Sequence, residues 1–189
     1  MPRPPKQTKA ETLQKLKQVF RDHGYEGASM QALSEATGLS KASLYHHFPD
    51  GKQEMASQVL LEEGRKLQSL VLAPLSEKRN GEALLDSLVA TAEFYDSDTP
   101  QCLMNSLTLG EGGRLFGDTV KETVAAWRTA LAANYQALGA SSEEADAWSA
   151  YALERIQGAL VMSRVEASRA PLEQCLSELE GDVRYYLDA

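Results

Sequence analysis

Apolar residues recur at helical spacing along nearly the whole chain, and no stretch shows the strict alternation of apolar and polar positions that a surface strand requires. The clearest apolar stripe lies near the end of the chain and consists of Leu172, Leu176, Leu179 and Val183. Similar stripes recur from residue 13 onward, separated by short polar or glycine-containing segments. The pattern predicts an all-α fold of about nine helices.

Polar residues ahead of these stripes predict where individual helices begin. Thr8 and Glu11 have the spacing of a capping box at the start of the first helix, and Ser29 and Ser40 can cap the second and third. Gly38 follows the second helix at the position where a left-handed glycine commonly ends a helix. The chain from 29 to 48 is therefore predicted to hold two short helices joined by the tight turn "TGLS".

Two further boundaries are predicted in the second half of the chain. Ser141 and Glu144 have the spacing of another capping box, ahead of a helix of more than twenty residues. The glycine-rich segment "GEGG" at 110–113 predicts a loop between two helices.

Two short helices around a glycine-containing turn match the helix-turn-helix unit, whose second helix enters the major groove of DNA. Leu33, Leu39 and Leu44 would form the internal contact between the two helices, with His47 packed or facing a helix. The outer side of the second helix would then carry small and hydrogen-bonding side chains, namely Lys41, Ala42, Ser43, Tyr45 and His46. Lys41 and Lys52 would supply positive charge for phosphates.

The charge distribution is compatible with DNA binding by one part of the chain only. The net charge of the 189-residue chain is −8, which argues against a protein coated uniformly with basic residues. Residues 1–55 nevertheless carry two more basic than acidic residues, whereas residues 56–189 carry ten more acidic than basic ones. The sequence thus has a locally basic N-terminal part on an acidic remainder.

Enzymatic motifs and metal-ligand patterns are absent from the sequence. Adjacent His46 and His47 point about 100° apart on a helix and cannot chelate one ion together. Cys102 and Cys175 have neither the spacing nor the partners of a zinc site or a disulfide framework. We therefore expect no enzymatic activity, no cofactor and no metal. Since no apolar run approaches the length of a membrane span and no signal peptide is recognised, we expect a cytoplasmic location without membrane contact.

The segment "FRDHGYEGASMQALSEATGLSKASLYHHFPDGKQEM" resembles the N-terminal DNA-binding domain of the TetR family of bacterial repressors. The matching marks are "GY" after the first helix, "AS" before the second, "TGLSKASLYHHF" and the lysine after "FPDG". The resemblance implies phosphate contacts at Ser29, Tyr45 and Lys52. It implies base contacts at Gln31, Lys41, Ala42, Ser43 and His46.

The remainder of the chain resembles the LmrA/YxaF-like branch of that family, through "FPDGK", "CLMNSL", "AAWRTALAANYQALG" and "LERIQGALVMSRV". The resemblance implies a DNA-binding domain at residues 6–66 and an effector-binding and dimerisation domain at residues 67–189. Candidate effector contacts are Phe94, Tyr95, Met104, Asn105, Trp127, Tyr151 and Gln157. Aromatic residues and methionines at helical spacing are equally typical of ordinary core, so both interpretations stay open.

A single recognition helix reads only a few base pairs, and two-fold dimers extend the contact to two half-sites roughly 34 Å apart. The last two helices of each subunit could form a four-helix bundle, with Leu172, Leu176, Leu179 and Val183 at the contact. The alternative is that this stripe packs only within its own chain. The implied partners are a double-stranded DNA operator, a second copy of the chain and a small apolar or aromatic effector that relieves repression.

Two rival functions remain at this point. One is a DNA-binding protein without an effector, which would bind DNA regardless of its sequence. The other is a small-molecule carrier or enzyme that has retained the N-terminal domain without using it.

Overall fold

The computed structural model describes residues 8–188, and this part of the chain forms nine helices and no strand. They are α1 (Lys9–Gly27), α2 (Met30–Thr37), α3 (Lys41–His47), α4 (Lys52–Leu67, Gln68–Leu72 and Ala73–Glu77), α5 (Gly81–Phe94), α6 (Leu103–Leu107), α7 (Gly110–Ala137), α8 (Ser142–Glu166) and α9 (Ala170–Asp188). The predicted all-α fold is confirmed. Residues 6 and 7, where the predicted DNA-binding domain begins, and residue 189 lie outside the described residues.

Most of the predicted helix boundaries are confirmed, because capping is decided by side chains close in sequence. The Thr8 side chain accepts the Glu11 backbone N–H while Glu11 accepts the Thr8 backbone N–H, which completes the capping box of α1. Ser29 and Ser40 cap α2 and α3, and each side chain accepts the backbone N–H of the residue three positions on. Gly38 ends α2 with a left-handed φ of 71°. Ser141 and Glu144 form the second complete capping box, at the start of α8.

The glycine-rich segment at 110–113 is helical, so the predicted loop is wrong. Helix α7 begins at Gly110, and only two residues separate it from the end of α6. A Cβ at Gly112 would lie 2.6 Å from the Leu107 carbonyl oxygen, and one at Gly113 would lie 2.5 Å from the Thr108 carbonyl oxygen. These glycines allow the chain to fold back closely on itself, and they do not interrupt the helix.

Helix α4 contains one π-helical turn, Gln68–Leu72. Its last bond runs from the Ala73 backbone N–H to the Gln68 carbonyl, one residue further than in an α-helix. Pro74 follows directly and has no N–H to donate. The wider turn therefore accommodates a proline inside a long helix.

The described residues divide into two compact units. The first comprises residues 8–63 together with Leu103–Val120, and the second comprises Gly64–Cys102 together with residues 121–188. Helices α4 and α7 each contribute residues to both units. The separation of functions at residues 66 and 67 stays a prediction.

The first unit is built around the buried face of α1. Leu16 and Phe20 are fully buried there, together with Leu33, Leu44 and Met55 from the following helices. A half-buried ion pair joins Lys17 Nζ to Glu63 Oε1 at 2.8 Å. The α1–α6 contact is fixed by the Ser106 hydroxyl, which donates to the Arg21 carbonyl at 2.8 Å.

The second unit has its own core around Trp127, Leu84 and Leu160. The buried Asn134 amide is fully used: its nitrogen donates to the carbonyls of Leu75 and Ala130, and its oxygen accepts the Asn80 backbone N–H. Within residues 8–188, no helix is both long and apolar enough to cross a membrane.

Candidate nucleic-acid interface

The turn between α2 and α3 is held by hydroxyl groups as well as by apolar contacts. Leu33 and Leu44 are fully buried, as expected for the contact between the two helices, whereas Leu39 is half-buried. The Thr37 hydroxyl donates to the Leu33 carbonyl at 2.7 Å and accepts the Leu39 backbone N–H at 3.3 Å. The Ser34 hydroxyl donates to the Leu39 carbonyl. These bonds fix the orientation of α3 relative to α2.

Helix α3 presents one exposed face, formed by Lys41, Ala42, Tyr45 and His46. At 100° per residue these four positions span an arc of about 140°, on the side away from buried Leu44. Ser43 is half-buried, and its hydroxyl lies 2.9 Å from that of Ser40, the cap of the helix. His47 was expected to be packed or to face a helix, but it is exposed with its ring 5.6 Å from that of His46.

The two candidate residues at the start of α2 are also exposed. The Ser29 hydroxyl accepts the Ala32 backbone N–H at 3.1 Å, which leaves its own proton free to be donated elsewhere. The Gln31 amide nitrogen donates to the Glu35 carboxylate at 2.9 Å. Glu35 therefore orients the amide of Gln31.

The start of α4 brings Tyr45 and Lys52 together with a residue that sequence reasoning did not select. Gly51 has a left-handed φ of 67°, and the Tyr45 ring covers it so closely that a Cβ would lie 3.0 Å from Tyr45 Cε1. The Lys52 ammonium donates to the Tyr25 carbonyl at 2.9 Å and lies 4.4 Å from the centre of the Tyr25 ring. The sequence contained a signal for Tyr25 in the "GY" after the first helix, but nothing in it indicated contact with Lys52.

Tyr25 also contacts α7. Its ring meets that of Phe116 edge-on at 5.4 Å, within the first unit. Burial raises the pKa of the Tyr25 hydroxyl, with a further rise from the Glu111 carboxylate and an opposing effect of Arg114. The hydroxyl is accordingly neutral at physiological pH.

The interface offers cations, hydroxyls, an amide and imidazoles, which are groups that bind phosphates and base edges. Among the described residues, no group of three or more histidine, cysteine, aspartate or glutamate side chains could hold a metal ion. The arrangement is suited to binding a polyanion.

The second unit contains a small cavity lined mainly by apolar side chains. Its lining residues are Leu84, Ser87, Leu88, Thr91, Trp127, Leu131, Tyr135, Ala152, Ile156, Leu179 and Val183. The cavity volume is ≈ 10 Å³, about the space that one water molecule requires. Burial raises the pKa of Tyr135 to about 12, with Asp182 contributing, so its hydroxyl keeps its proton.

Of the seven candidate effector contacts, only Trp127 lines this cavity. Tyr95 is buried elsewhere in the second unit, where its hydroxyl donates to Cys102 Sγ at 3.6 Å and its ring packs on Phe94. Two more candidates stand apart from the cavity lining on α8: Tyr151 is exposed and Gln157 is half-buried. Met104 and Asn105 belong to the first unit. The structure thus does not bring the candidate set together.

The stripe predicted for the dimer contact is core of the single chain. Leu172, Leu176, Leu179 and Val183 are 0–7 % exposed, and the last two line the cavity. This corrects the expected position of the contact, since side chains already covered by their own chain are not available to a second subunit. The stripe instead agrees with the alternative, packing within its own chain.

Exposed apolar residues lie on the neighbouring helix. Helix α8 carries Tyr151, Met162 and Val165 on one side, with Val165 71 % exposed. Beside them runs an open groove of ≈ 400 Å³ between α8 and α9, lined by Arg155, Gly158, Ala159, Met162, Glu166, Ala170, Pro171, Gln174, Cys175 and Glu178. Arg155 and Glu178 form an ion pair across this groove.

Two family models match the chain. Residues 13–59 match the model of bacterial regulatory proteins of the tetR family. Residues 83–178 match the C-terminal domain of LmrA/YxaF-like transcriptional regulators. The first match includes the interface on α2 and α3, and the second includes nearly all of the residues that line the cavity.

Individual proteins are similar over different lengths. The HTH-type transcriptional regulator YxaF of Bacillus subtilis is 23 % identical over 159 residues, which are 82 % of this chain and 83 % of YxaF. The HTH-type transcriptional repressor AcnR of Corynebacterium glutamicum is 34 % identical over 67 residues, 35 % of each chain. A cysteine mutant of the TetR family regulator CifR, solved with a 26-base-pair operator DNA, superposes with a TM-score of 0.75 at 22 % identity, covering 97 % of this chain and 98 % of CifR.

Proposed function

Because the chain belongs to the LmrA/YxaF-like transcriptional regulators of the bacterial TetR family, which are not enzymes, we propose that it is a repressor that binds a palindromic operator as a homodimer. The observation that carries this proposal is the exposed face of α3, next to a lysine fixed at the start of α4. On this proposal, residues 6–66 bind DNA and residues 67–189 bind the effector and the second subunit.

The exposed face of α3 suits the major groove. Ala42 and half-buried Ser43 are small, so the helix backbone can approach the base edges closely. His46 and Gln31 can then reach hydrogen-bonding groups of the bases, and Lys41 can reach a base or a neighbouring phosphate. Ser29, Tyr45 and Lys52 would contact phosphates, which position the protein along the duplex.

The dimer contact in this proposal uses the exposed side of α8 and the adjoining groove. Gly158, Met162 and Val165 lie at helical spacing on that side and present small or apolar surface. Packing α8 and α9 against the same two helices of a second copy would bury this surface in a four-helix bundle. The buried stripe of α9 would then stabilise the helix that carries the contact without touching the second subunit.

The effector in this proposal enters the cavity around Trp127. Its lining is largely apolar, and the Ser87 and Thr91 hydroxyls donate to carbonyls of their own helix, so few polar groups are left to select a ligand. A small apolar or aromatic compound fits this chemistry. Since drug-sized cavities measure about 300–1,000 Å³, the helices must separate to admit it. That separation would favour a dimer that no longer matches the operator.

The DNA-binding proposal is tested by replacing a lysine on the exposed face of α3. The DNA used is a duplex that the full-length protein selects from a random library. Lys41→Ala should weaken binding to this duplex, and the loss of affinity should be smaller at high salt. The slope of log K against log salt should fall by about 0.9 if one phosphate contact is lost. Lys121→Ala removes the same charge from an exposed site on α7 and serves as the matched control.

An equal loss of DNA affinity in Lys41→Ala and Lys121→Ala would contradict a specific role for α3. Failure of the selection to enrich any sequence would favour sequence-independent DNA binding. An effector that shifts the melting temperature but never changes DNA affinity would favour a carrier that does not regulate.

A further inference from the structure

The ammonium group of Lys52 contacts both the backbone carbonyl and the aromatic ring of Tyr25. It donates a hydrogen bond to the Tyr25 carbonyl at 2.9 Å and lies over the Tyr25 ring at 4.4 Å from its centre. Lys52 is half-buried, whereas Lys41 on α3 is exposed. The two lysines that are candidates for phosphate contact therefore differ in how firmly the protein holds them.

The backbone conformation before Tyr25 explains how its carbonyl becomes available. Gly24 interrupts the helical conformation of α1 with φ 67° and ψ −174°, and the last turn ends at Gly27. Carbonyls in the last turn of a helix have no partner within the helix. A lysine at such a position satisfies a carbonyl and interacts favourably with the negative end of the helix dipole.

The Tyr25 ring is itself fixed. It is buried, and it packs edge-on with the Phe116 ring at 5.4 Å between ring centres. The neighbouring Glu26 carboxylate accepts the Glu111 backbone N–H at 2.7 Å, which ties the same turn of α1 to the start of α7. Lys52 thus rests on a rigid support.

An ammonium group has three donors, and the Tyr25 carbonyl uses one of them. We propose, on the basis of the function proposed above, that Tyr25 is a positioning residue for operator binding that acts through Lys52. The ring and the carbonyl hold the ammonium at the start of α4, so that its remaining donors meet a DNA phosphate. Ordering a long side chain at an interface otherwise lowers affinity, by about 2- to 10-fold per side chain.

The proposal predicts that the effect of Tyr25 on DNA binding depends on Lys52. Tyr25→Leu keeps an apolar side chain but removes the ring face, so it should weaken binding to the selected duplex by about 2- to 10-fold. Tyr25→Phe retains the ring and should bind as the wild type does. In a Lys52→Met background, Tyr25→Leu should cause no further loss of affinity, because the group through which it acts is gone.

A purely structural role for Tyr25 would give a different result. It would lower affinity by the same factor with Lys52 or Met at position 52, and that outcome would overturn the proposal. An increase in affinity on Tyr25→Leu would also overturn it, because it would mean that Tyr25 withholds Lys52 from DNA. If Lys52→Met alone leaves affinity and salt dependence unchanged, Lys52 is not a phosphate contact, and the failure lies in the proposed function.

A measurement on the wild-type protein covers the case in which Tyr25→Leu does not fold. The NMR order parameter of the Lys52 ammonium should be higher than that of Lys41 in the absence of DNA. Equal mobility of the two ammonium groups would contradict the positioning role, whatever the variants do.

Discussion

At the scale of single residues, Gly51 decides how α3 meets α4. Its left-handed φ of 67° disfavours any side chain, and the Tyr45 ring occupies the space that a Cβ would need. A left-handed conformation costs a non-glycine residue about 1–2 kcal/mol. Tyr45 is 50 % exposed, so the ring can move only at the expense of its own position at the interface.

Gly51→Ala should lower the free energy of unfolding by about 1–2 kcal/mol and should also weaken DNA binding. Gly64→Ala is the matched control, because Gly64 lies inside α4 with nothing within 4 Å of the added Cβ. The control should raise stability by about 0.5–1 kcal/mol. Urea denaturation of both variants measures the difference, and a Gly51→Ala protein as stable as the wild type would contradict the expected strain.

The Glu144 carboxylate in the capping box of α8 should contribute to the stability of the fold in a way that depends on acid pH. The side-chain and backbone hydrogen bonds from Ser141 hold the pKa of the Glu144 carboxyl below its ordinary value of 4.5. A group with a lowered pKa in the folded state stabilises the fold above its unfolded pKa, and this contribution is lost as pH falls through the folded pKa. Glu144→Gln should therefore show a smaller fall in melting temperature than the wild type on acidification below about pH 4.5.

Glu143→Gln removes the same charge from the same helical turn without affecting the cap. It should keep the acid sensitivity of the wild type in thermal melts between about pH 3 and 6. If the two variants respond alike, the general charge of the α8 start and not the capping box is responsible.

Individual contacts divide sharply into those that the sequence reveals and those that it does not. The exposed face of α3 could be predicted because a period of 3.6 residues places Ala42 and His46 opposite Leu44. The contact of Lys52 with Tyr25 could not, since it joins residues 27 positions apart through a backbone carbonyl. Spacing within a helix is local information, whereas this contact depends on how α1 and α4 pack.

At the scale of helices, starts were predicted better than interruptions. Ser29, Ser40 and Ser141 each accept the backbone N–H of the residue three positions on, so sequence alone identifies them. The glycines at 112 and 113 suggest a loop when only the sequence is considered. The structure shows that glycine is required there by a tertiary contact. They allow close approach to the carbonyls of Leu107 and Thr108.

The start of α7 depends on a side chain from α1. The Glu26 carboxylate accepts the Glu111 backbone N–H at 2.7 Å, and a Cβ at Gly110 would lie 2.4 Å from Glu26 Oε1. Glu26→Ala removes this cap and should lower the free energy of unfolding by about 0.5–2 kcal/mol. Chemical denaturation measures the loss, with Glu122→Ala at an exposed position of α7 as the control. Equal stability of the two variants would show that the cap contributes nothing.

At the scale of the whole molecule, the sequence indicated an apolar stripe on α9 but not what covers it. Amphipathic spacing shows only that one face of a helix avoids water. Leu172 and Leu176 are covered by their own chain, while Met162 and Val165 of α8 are exposed. Deciding between core and subunit contact requires the positions of the other helices, which no single helix encodes.

Val165→Glu should convert the proposed dimer to a monomer and lower operator affinity, because it places a charge in an apolar contact. The side chain is 71 % exposed in the single chain, so the substitution should leave the monomer folded. Val89→Glu on α5 is the matched control, at the same exposed fraction of 71 %. Analytical ultracentrifugation measures the outcome, and a Val165→Glu protein that stays dimeric would place the contact elsewhere.

The nearly filled cavity of the second unit has a consequence for the speed of any response. A space for about one water molecule admits no effector until Trp127 and its neighbours move apart. The apparent dissociation constant is then the intrinsic one divided by the fraction of molecules that are open. When opening is slow, the observed binding rate stops rising at high effector concentration and equals the opening rate. The helices around Trp127 would thereby set a minimum response time, independent of how much effector enters the cell.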